Sequence, residues 1–429
     1  MSSILILGAG RSSSALISYL LKFGAANGID ITVGDVSVHA AQEKISGFAN
    51  GKAIEFDISK TDTSHAAIRR SKVVVSLIPA HLHTSVAKIC LETGSHLLTA
   101  SYVSDEMKSF DTDARSRSLL FLNECGLDPG IDHMSAMQVM DRIRSEGGSI
   151  TSFESFTGGL IAPQTDPENP WRYKFTWNAR NVVMAGQSTA KFLLDGNHKY
   201  IPYQRLFKTI TPVVVPNYGE YEGYANRDSL KYLETYGLHD VRTMIRGTLR
   251  NKGFCSAWNV LVQLGCCDDS YEMEDVASMT HESFVKSFLE TEIVCSDEDM
   301  KRLSWSGLFS KEPVGLKKGT PAQILEHILN KQWKLNPDDK DLVVMWHRFG
   351  YTKNGVSKRL EASLVATGSN SIDTAMAKTV GLPLGIAAKL LVQGKIKQRG
   401  VAIPTSKEIY EPVLEELKTL GIELSERES

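Results

Sequence analysis

The stretch GAGRSS, Gly8 to Ser13, follows one apolar run and precedes a helical one, SSALISYLL. A pyrophosphate rests on backbone N–H groups at a helix start only where side chains are absent or small. Gly8 and Gly10 meet that demand, Arg11 and Ser12 complete the turn, and Ser13 stands where a third glycine is usual. The pattern alone fits a merely tight strand-to-helix turn as well, but its place after the first of six alternating strands favours a dinucleotide. Asp35 ends the second apolar run, where a carboxylate accepts hydrogen bonds from a ribose hydroxyl and repels a phosphate. No Arg or Lys in the following VSVHA offsets that charge, so NAD is expected over NADP; the competing reading is an aspartate that caps the next helix. Asp57, Ile58, Ser76, Leu77 and Ile78, at the ends of the third and fourth runs, complete the expected cofactor face, although a helix cap explains Asp57 equally well.

A second concentration of chemistry is NECGLDPGIDH, Asn123 to His133, which packs carboxylates, glycines, a proline and a histidine behind an apolar run. Gly126, Pro129 and Gly130 allow a stiff path off the sixth run that brings Asp128 towards a cofactor's reactive end, with His133 as a structural residue at a helix start. His81 and His83 form an HxH pair, but no third ligand at metal-site spacing accompanies them, and no metal is expected. Cys266 and Cys267 are read as buried small residues. Further on, WRYKFTW, EGYANRDSLKY and RGTLR mix aromatics with cations, which suits a ligand bearing several carboxylates and equally suits a solvated strand face.

The elements that must position these residues follow from periodicity. Six short apolar runs, Ile4 to Leu7, Ile31 to Asp35, Ala53 to Ile58, Val73 to Ile78, His96 to Ser101 and Leu119 to Glu124, alternate with helical patterns, predicting an α/β domain with a doubly wound parallel sheet over residues 1–132. From 133 to 369 the texture is that of an α+β domain with a mostly antiparallel sheet and a mainly helical insertion at about 268–340. The small-residue helix AMAKTVGLPLGIAAKLLVQGKI opens a closing segment, about 370–429, expected to complete the first domain. Lys plus Arg number 48 against 50 Asp plus Glu, which excludes a nucleic-acid stripe or a polybasic membrane patch and favours a small-molecule partner. Six cysteines without disulfide-like spacing, a start that lacks a signal-peptide pattern, and no apolar run near the roughly 18 residues of a spanning helix predict a soluble cytoplasmic protein.

Several blocks together, SLIPAHLHTSVAKIC, TASYVSDEMK, NECGLDPGIDHMSAM, FTGGLIAP, NPWRYKFTW, EGYANRDSLKY, RGTLR and AMAKTVGLPLGIAAKLL, resemble the glutamate-forming saccharopine dehydrogenase family over nearly the whole chain. The resemblance implies a Rossmann-type domain, an α+β substrate and dimerisation domain, and a homodimer. It also implies oxidation of saccharopine's secondary amine, followed by hydrolysis to glutamate and 2-aminoadipate 6-semialdehyde in lysine metabolism. By resemblance Ser101 and Tyr102 lie in the substrate and cofactor loop and Asp128 in the acidic loop. Arg227, Thr248, Leu249 and Arg250 fall in the substrate domain, and Lys174, Trp177 and Asn178 in a block approaching the nicotinamide. Asp128, Tyr102 and a bound water are the candidate acid–base groups. Fungal members favour NADP and carry a basic residue after the second strand; Asp35 departs from that, while NADP stays possible by resemblance. The alternatives are a carboxynorspermidine-type or other opine-like reductive aminase, and a non-catalytic NAD-binding regulatory protein.

Overall fold

The structure, a computed structural model, describes residues 3–185, 187–288 and 295–428. The chain divides into two units, Met1–Ser145 with Ile372–Leu424 and Glu146–Ser371 with Ser425–Ser429.

In the first unit, with strands numbered along the whole chain, β1 (Ser3–Leu7), β2 (Asp30–Asp35), β3 (Gly51–Glu55), β4 (Val73–Ser76), β5 (His96–Thr99) and β6 (Leu120–Leu122) form a parallel sheet. Its order is β6-β5-β4-β1-β2-β3. Ile4 to Leu7 and Val73 to Val75 are fully buried, as continuous apolar runs must be in a sheet covered on both faces. The order reverses between β1 and β4, and there the glycine turn leaves the sheet. A seventh strand, β15 (Gly400–Ala402), extends the edge beside β6; three residues are too few for any periodicity to announce it. β3 and β4 stop at Glu55 and Ser76, so Asp57, Ile58, Leu77 and Ile78 occupy the loops just beyond the strands' carboxyl ends.

The helix Ala375–Val392 packs behind the glycine turn. A Cβ on Gly381 would lie 3.0 Å from the Leu16 nitrogen and 3.3 Å from the Ser12 carbonyl oxygen, so only glycine lets the two backbones approach this closely. By length and composition this helix could cross a membrane, contrary to the expectation that no run came near that length, but 78% of it is buried inside the structure. Helix Ile131–Ser145 also belongs to the first unit, where Tyr410 Oη donates to Asp141 Oδ2 at 2.7 Å; the boundary therefore falls after this helix and not at 133. Conversely β16 (Ser425–Glu428) pairs with a strand of the second unit, so the closing segment does not stay wholly with the first.

The second unit holds β7 (Ser149–Ile161), β8 (Ala190–Leu194), β9 (Asn197–Ile201), β10 (Ile210–Val215), β11 (Gly219–Ala225), β12 (Thr243–Asn251), β13 (Asp341–Lys353) and β14 (Val356–Thr367). The main path runs β10-β11-β12-β7-β13-β14-β16, with β8 and β9 branching from β12. Pairings are antiparallel except β7 with β12, which is parallel, so the sheet is mixed. Its core is aromatic: Trp171, Tyr173, Phe175, Trp258 and Trp333 are all at most 1% exposed, and several of these rings meet edge to face. Within the expected insertion lie helices His281–Lys286, Asp297–Trp305 and Pro321–Trp333, the last begun by a Thr320–Gln323 capping box with proline at its first position; residues 289–294 fall outside the described part. Cys266 and Cys267 are buried thiols, pushed above their usual range chiefly by desolvation.

Candidate functional site

The cradle in the first unit is built by the ends of β1, β2 and β4. Gly8 sits at φ +101°, with the Leu77 carbonyl group 3.0 Å from where a Cβ would be, so the residue must be glycine. Gly10 caps the short 3₁₀ turn Arg11–Ser13 ahead of helix Ser14–Asn27, and nothing lies within 4 Å of the position its Cβ would take. Ser13, in place of the third glycine, turns its hydroxyl back onto the Gly10 carbonyl at 2.8 Å, which keeps it out of the turn's open side. Arg11 is exposed and Ser12 half-buried on that turn. Asp35 accepts from the Ala9 N–H through Oδ2 (2.7 Å) and from the Ser37 N–H through Oδ1 (2.9 Å). It thus fastens the glycine turn to the end of β2, while Ser37 itself caps the next helix. Small residues, open space and a fixed carboxylate fit the diphosphate and ribose of a dinucleotide.

Other expected cofactor residues hold different positions. Asp57 accepts from the Ser59 hydroxyl and N–H, which hold its carboxyl below the usual range, so its charge is spent within a tight turn. Ser76 is fully buried and its hydroxyl faces His83, leaving Leu77 and Ile78, both half-buried, to line the cradle. Among the described residues no group of three metal-ligating side chains gathers, and His83 is fully engaged with hydroxyls.

The acidic loop leaves the carboxyl end of β6, two strands along from β4. Glu124 takes a left-handed backbone at φ +53°, accepts from the Val103 N–H at 3.0 Å and meets His133 Nε2 at 2.8 Å, both side chains buried. Gly130 N–H donates to Asp132 Oδ1 at 2.6 Å, and Gly126 N–H to the Pro129 carbonyl at 2.9 Å. From Asn123 to Ile131 every residue is buried except Asp128, which is half-buried at the tip of the loop, ahead of a cis bond to Pro129. A loop so fully satisfied presents one side chain.

Two buried histidines of the first unit carry a pH consequence. Desolvation, above all, pushes the His83 and His96 rings down to about 4, helped by His81 for the first and by Arg399 and Lys72 for the second. His96 Nδ1 accepts from the Leu120 N–H at 2.9 Å, which needs it unprotonated. The unfolded rings bind protons near pH 6.5, so stability is full above that value and falls as pH drops towards 4, by up to about 3 kcal/mol per ring. We expect denaturant midpoints to fall between pH 7 and pH 5, and the fall to shrink in His96→Asn. An equal fall in the variant would remove His96 from this account.

In the second unit the register gathers a polar row on one sheet face. Ser155 of β7 stands between Arg246 of β12 and His347 of β13, and Thr157 stands beside Thr248. Residues two apart share a face, which adds Arg250 to the row. Thr248 accepts from Asn226 Nδ2 at 3.3 Å. Arg250 is 4% exposed, lies over Tyr173 and Phe254 at 5.1 Å from each ring centre, and donates to the Leu249 carbonyl. Arg250 Nε, Ser155 Oγ and Thr157 Oγ1 have no hydrogen-bond partner among the described residues, and Arg250 forms no ion pair there. Arg227 is exposed, left-handed at φ +53°, after β11.

Four further residues expected at the site also hold structural positions. Lys174 is buried between Asp339 at 2.8 Å and Asp166 at 2.9 Å, so its ammonium is already neutralised. Leu249 is fully buried in the core, and Asn178 caps helix Ala179–Val183 by accepting from the Asn181 N–H, with Trp177 packed at the core's edge.

Residues 4–122 match the profile described as saccharopine dehydrogenase NADP binding domain, and residues 126–422 that of the saccharopine dehydrogenase C-terminal domain. The chain belongs to the saccharopine dehydrogenase family. The family's Schizosaccharomyces pombe saccharopine dehydrogenase [NADP(+), L-glutamate-forming] is 32% identical over 450 residues, covering 99% of both chains. Alpha-aminoadipic semialdehyde synthase, mitochondrial, of Mus musculus is 33% identical over 440 residues, and this chain spans 47% of its length. Among solved structures, apo histidine-tagged saccharopine dehydrogenase (L-Glu forming) from Saccharomyces cerevisiae superposes with a TM-score of 0.90 at 30% identity, covering 100% of both chains. The Rossmann-type and mixed-sheet units are thus those of the saccharopine dehydrogenase fold. Sequence reasoning did not single out the hydroxyl partners of His83 or the Glu124–His133 pair in the first unit, nor Ser155 and Thr157 in the second, which only cross-strand register brings beside Arg246 and Thr248.

Proposed function

We propose that the chain is a saccharopine dehydrogenase of the L-glutamate-forming type, a cytoplasmic homodimer of lysine metabolism. Saccharopine, water and the oxidised cofactor give L-glutamate, 2-aminoadipate 6-semialdehyde, the reduced cofactor and a proton, reversibly. The observation that carries this reading is Arg250. A buried guanidinium without a counter-ion costs several kcal/mol, and a substrate carboxylate seated against it, on the sheet face that carries Thr157 and Thr248, offsets that cost. Arg227 and Thr248 take the substrate's remaining polar groups.

A nicotinamide dinucleotide, held by Gly8, Gly10, Ser12 and Asp35, would supply the hydride acceptor for the carbon beside the secondary amine. The chain's own residues handle the protons. Asp128, presented by the rigid acidic loop, takes one proton from the water that adds to the resulting iminium and returns it to nitrogen as the C–N bond breaks, while the hydroxyl so formed gives its remaining proton, the one the overall reaction releases, to bulk water as the carbonyl forms; Tyr102, three residues beyond β5, orients the attacking water. The absorbance rise at 340 nm with saccharopine and cofactor tests the reading. No rise with saccharopine, but turnover of polyamine-derived imines, would assign another reductive aminase; binding without any turnover would assign a regulatory protein.

Asp35 favours NAD, unlike the relatives named for NADP(+). A carboxylate about 4 Å from a 2′-phosphate is disfavoured by about 1 kcal/mol in water and about 4 at a protein surface, or roughly fivefold to a thousandfold. We expect kcat/KM for NAD to exceed that for NADP within this range. Asp35→Ser combined with Val36→Arg reverses the preference, and also lowers activity with NAD because the Ala9 N–H loses its anchor. An unchanged ratio of the two cofactors would discard the ribose role.

A further inference from the structure

His83 has no part in the steps above, yet both its ring nitrogens are engaged. Nδ1 lies 3.0 Å from Ser76 Oγ, and Nε2 lies 2.9 Å from Ser101 Oγ and 3.1 Å from Thr99 Oγ1. Ser76 ends β4, Thr99 ends β5, and Ser101 lies two residues beyond it. His83 itself opens helix His83–Thr93, which follows β4. One ring therefore ties together the carboxyl ends of two adjacent parallel strands beside the point where strand order reverses, the place where ligands bind open α/β sheets.

The ring is 4% exposed, and burial holds it neutral at ordinary pH. One nitrogen donates and the other accepts. Nε2 then has a single hydrogen or a single lone pair to share between Ser101 and Thr99, and Thr99 Oγ1 already accepts from the Ser101 N–H at 3.2 Å. The Ser101 hydroxyl oxygen is consequently held by the ring in either tautomer. A histidine kept merely to fill space would not need three hydroxyls on its two nitrogens, and much the same volume is met by phenylalanine.

We propose that His83 is a positioning residue for the oxidation: it fixes the Ser101 hydroxyl, and with it the start of the Ser101–Tyr102 loop, in the orientation presented to the reacting ends of cofactor and substrate. The inference rests on the assignment of the chain as a saccharopine dehydrogenase. It differs from acid–base catalysis, because the ring gains and loses no proton during turnover. Its effect travels through Ser101, so the two residues must be energetically coupled.

The test is a double-mutant cycle on the full chain with His83→Phe, Ser101→Ala and the pair. His83→Phe should lower kcat with saccharopine about ten- to a hundredfold and change the NAD dissociation constant less than about threefold. The double variant should fall no further than Ser101→Ala alone, and His83→Gln, which keeps one hydrogen bond, should recover part of the loss. Losses that multiply in the double variant, or a His83→Phe enzyme with full kcat and only a lower melting temperature, would overturn the proposal. Should His83→Phe fail to fold, the cycle is run with His83→Gln and judged by the same coupling. If the unaltered protein turns over no saccharopine, the assigned activity fails, and the cycle is read on the emission of bound NADH. Coupled changes there sustain the positioning role and additive ones overturn it.

Discussion

Arg250→Met is expected to raise the KM for saccharopine by about ten- to a hundredfold while the NAD dissociation constant stays within about twofold. Hydrogen bonds to a charged group are worth about 1.5–3 kcal/mol, which sets that range. Methionine keeps most of the apolar volume among Tyr173, Tyr224 and Phe254 and removes the charge. Replacing a buried, unpaired cation with an apolar side chain should leave stability unchanged or higher. A structural ion pair would behave in the opposite way: Lys174→Met strands Asp339 and Asp166, so it should destabilise by about 3–5 kcal/mol. Thermal melts beside steady-state kinetics separate the cases. If Arg250→Met melts early and weakens saccharopine and NAD together, Arg250 is a core residue and the carboxylate site lies elsewhere.

Much of this was legible in the residues. Short β-rich runs such as VVVS and HLLT pointed to a parallel sheet because six of them alternate with helical patterns, and it was that setting which raised GAGRSS above a merely tight strand-to-helix turn. The helix Ala375–Val392 was readable as a close-packing element because its glycines recur at helical spacing. What composition could not separate was a ligand-facing aromatic from a core one. WRYKFTW carries the same residue types either way, and only the fold shows that Trp171, Tyr173 and Phe175 are core while Lys174 is neutralised. Register was equally hidden: nothing in TSFESFTGG indicates that Ser155 and Thr157 face Arg246 and Thr248, since a slip of one residue would turn both to the other side. His83 looked like half of a metal pair because its partners lie seven, sixteen and eighteen residues away at separate strand ends.

Asp128→Asn is expected to lower kcat by about 10²- to 10⁴-fold, the usual contribution of a positioned acid–base group, with the saccharopine KM changed only a few-fold. Asparagine is isosteric and still accepts a hydrogen bond, but it cannot take the proton of the attacking water. If Asp128 served only to hold an ammonium, the same substitution would raise KM and spare kcat, so the split between the two constants decides between proton transfer and binding. Presentation matters as much as identity. A Cβ on Gly130 would lie 2.0 Å from the Gly126 carbonyl oxygen, so Gly130→Ala must open the loop that holds Asp128 at its tip. Asp128→Asn should therefore melt like the unaltered protein, whereas Gly130→Ala loses kcat and stability together. Equal melting losses in both would make Asp128 part of the scaffold, and proton transfer would pass to Tyr102.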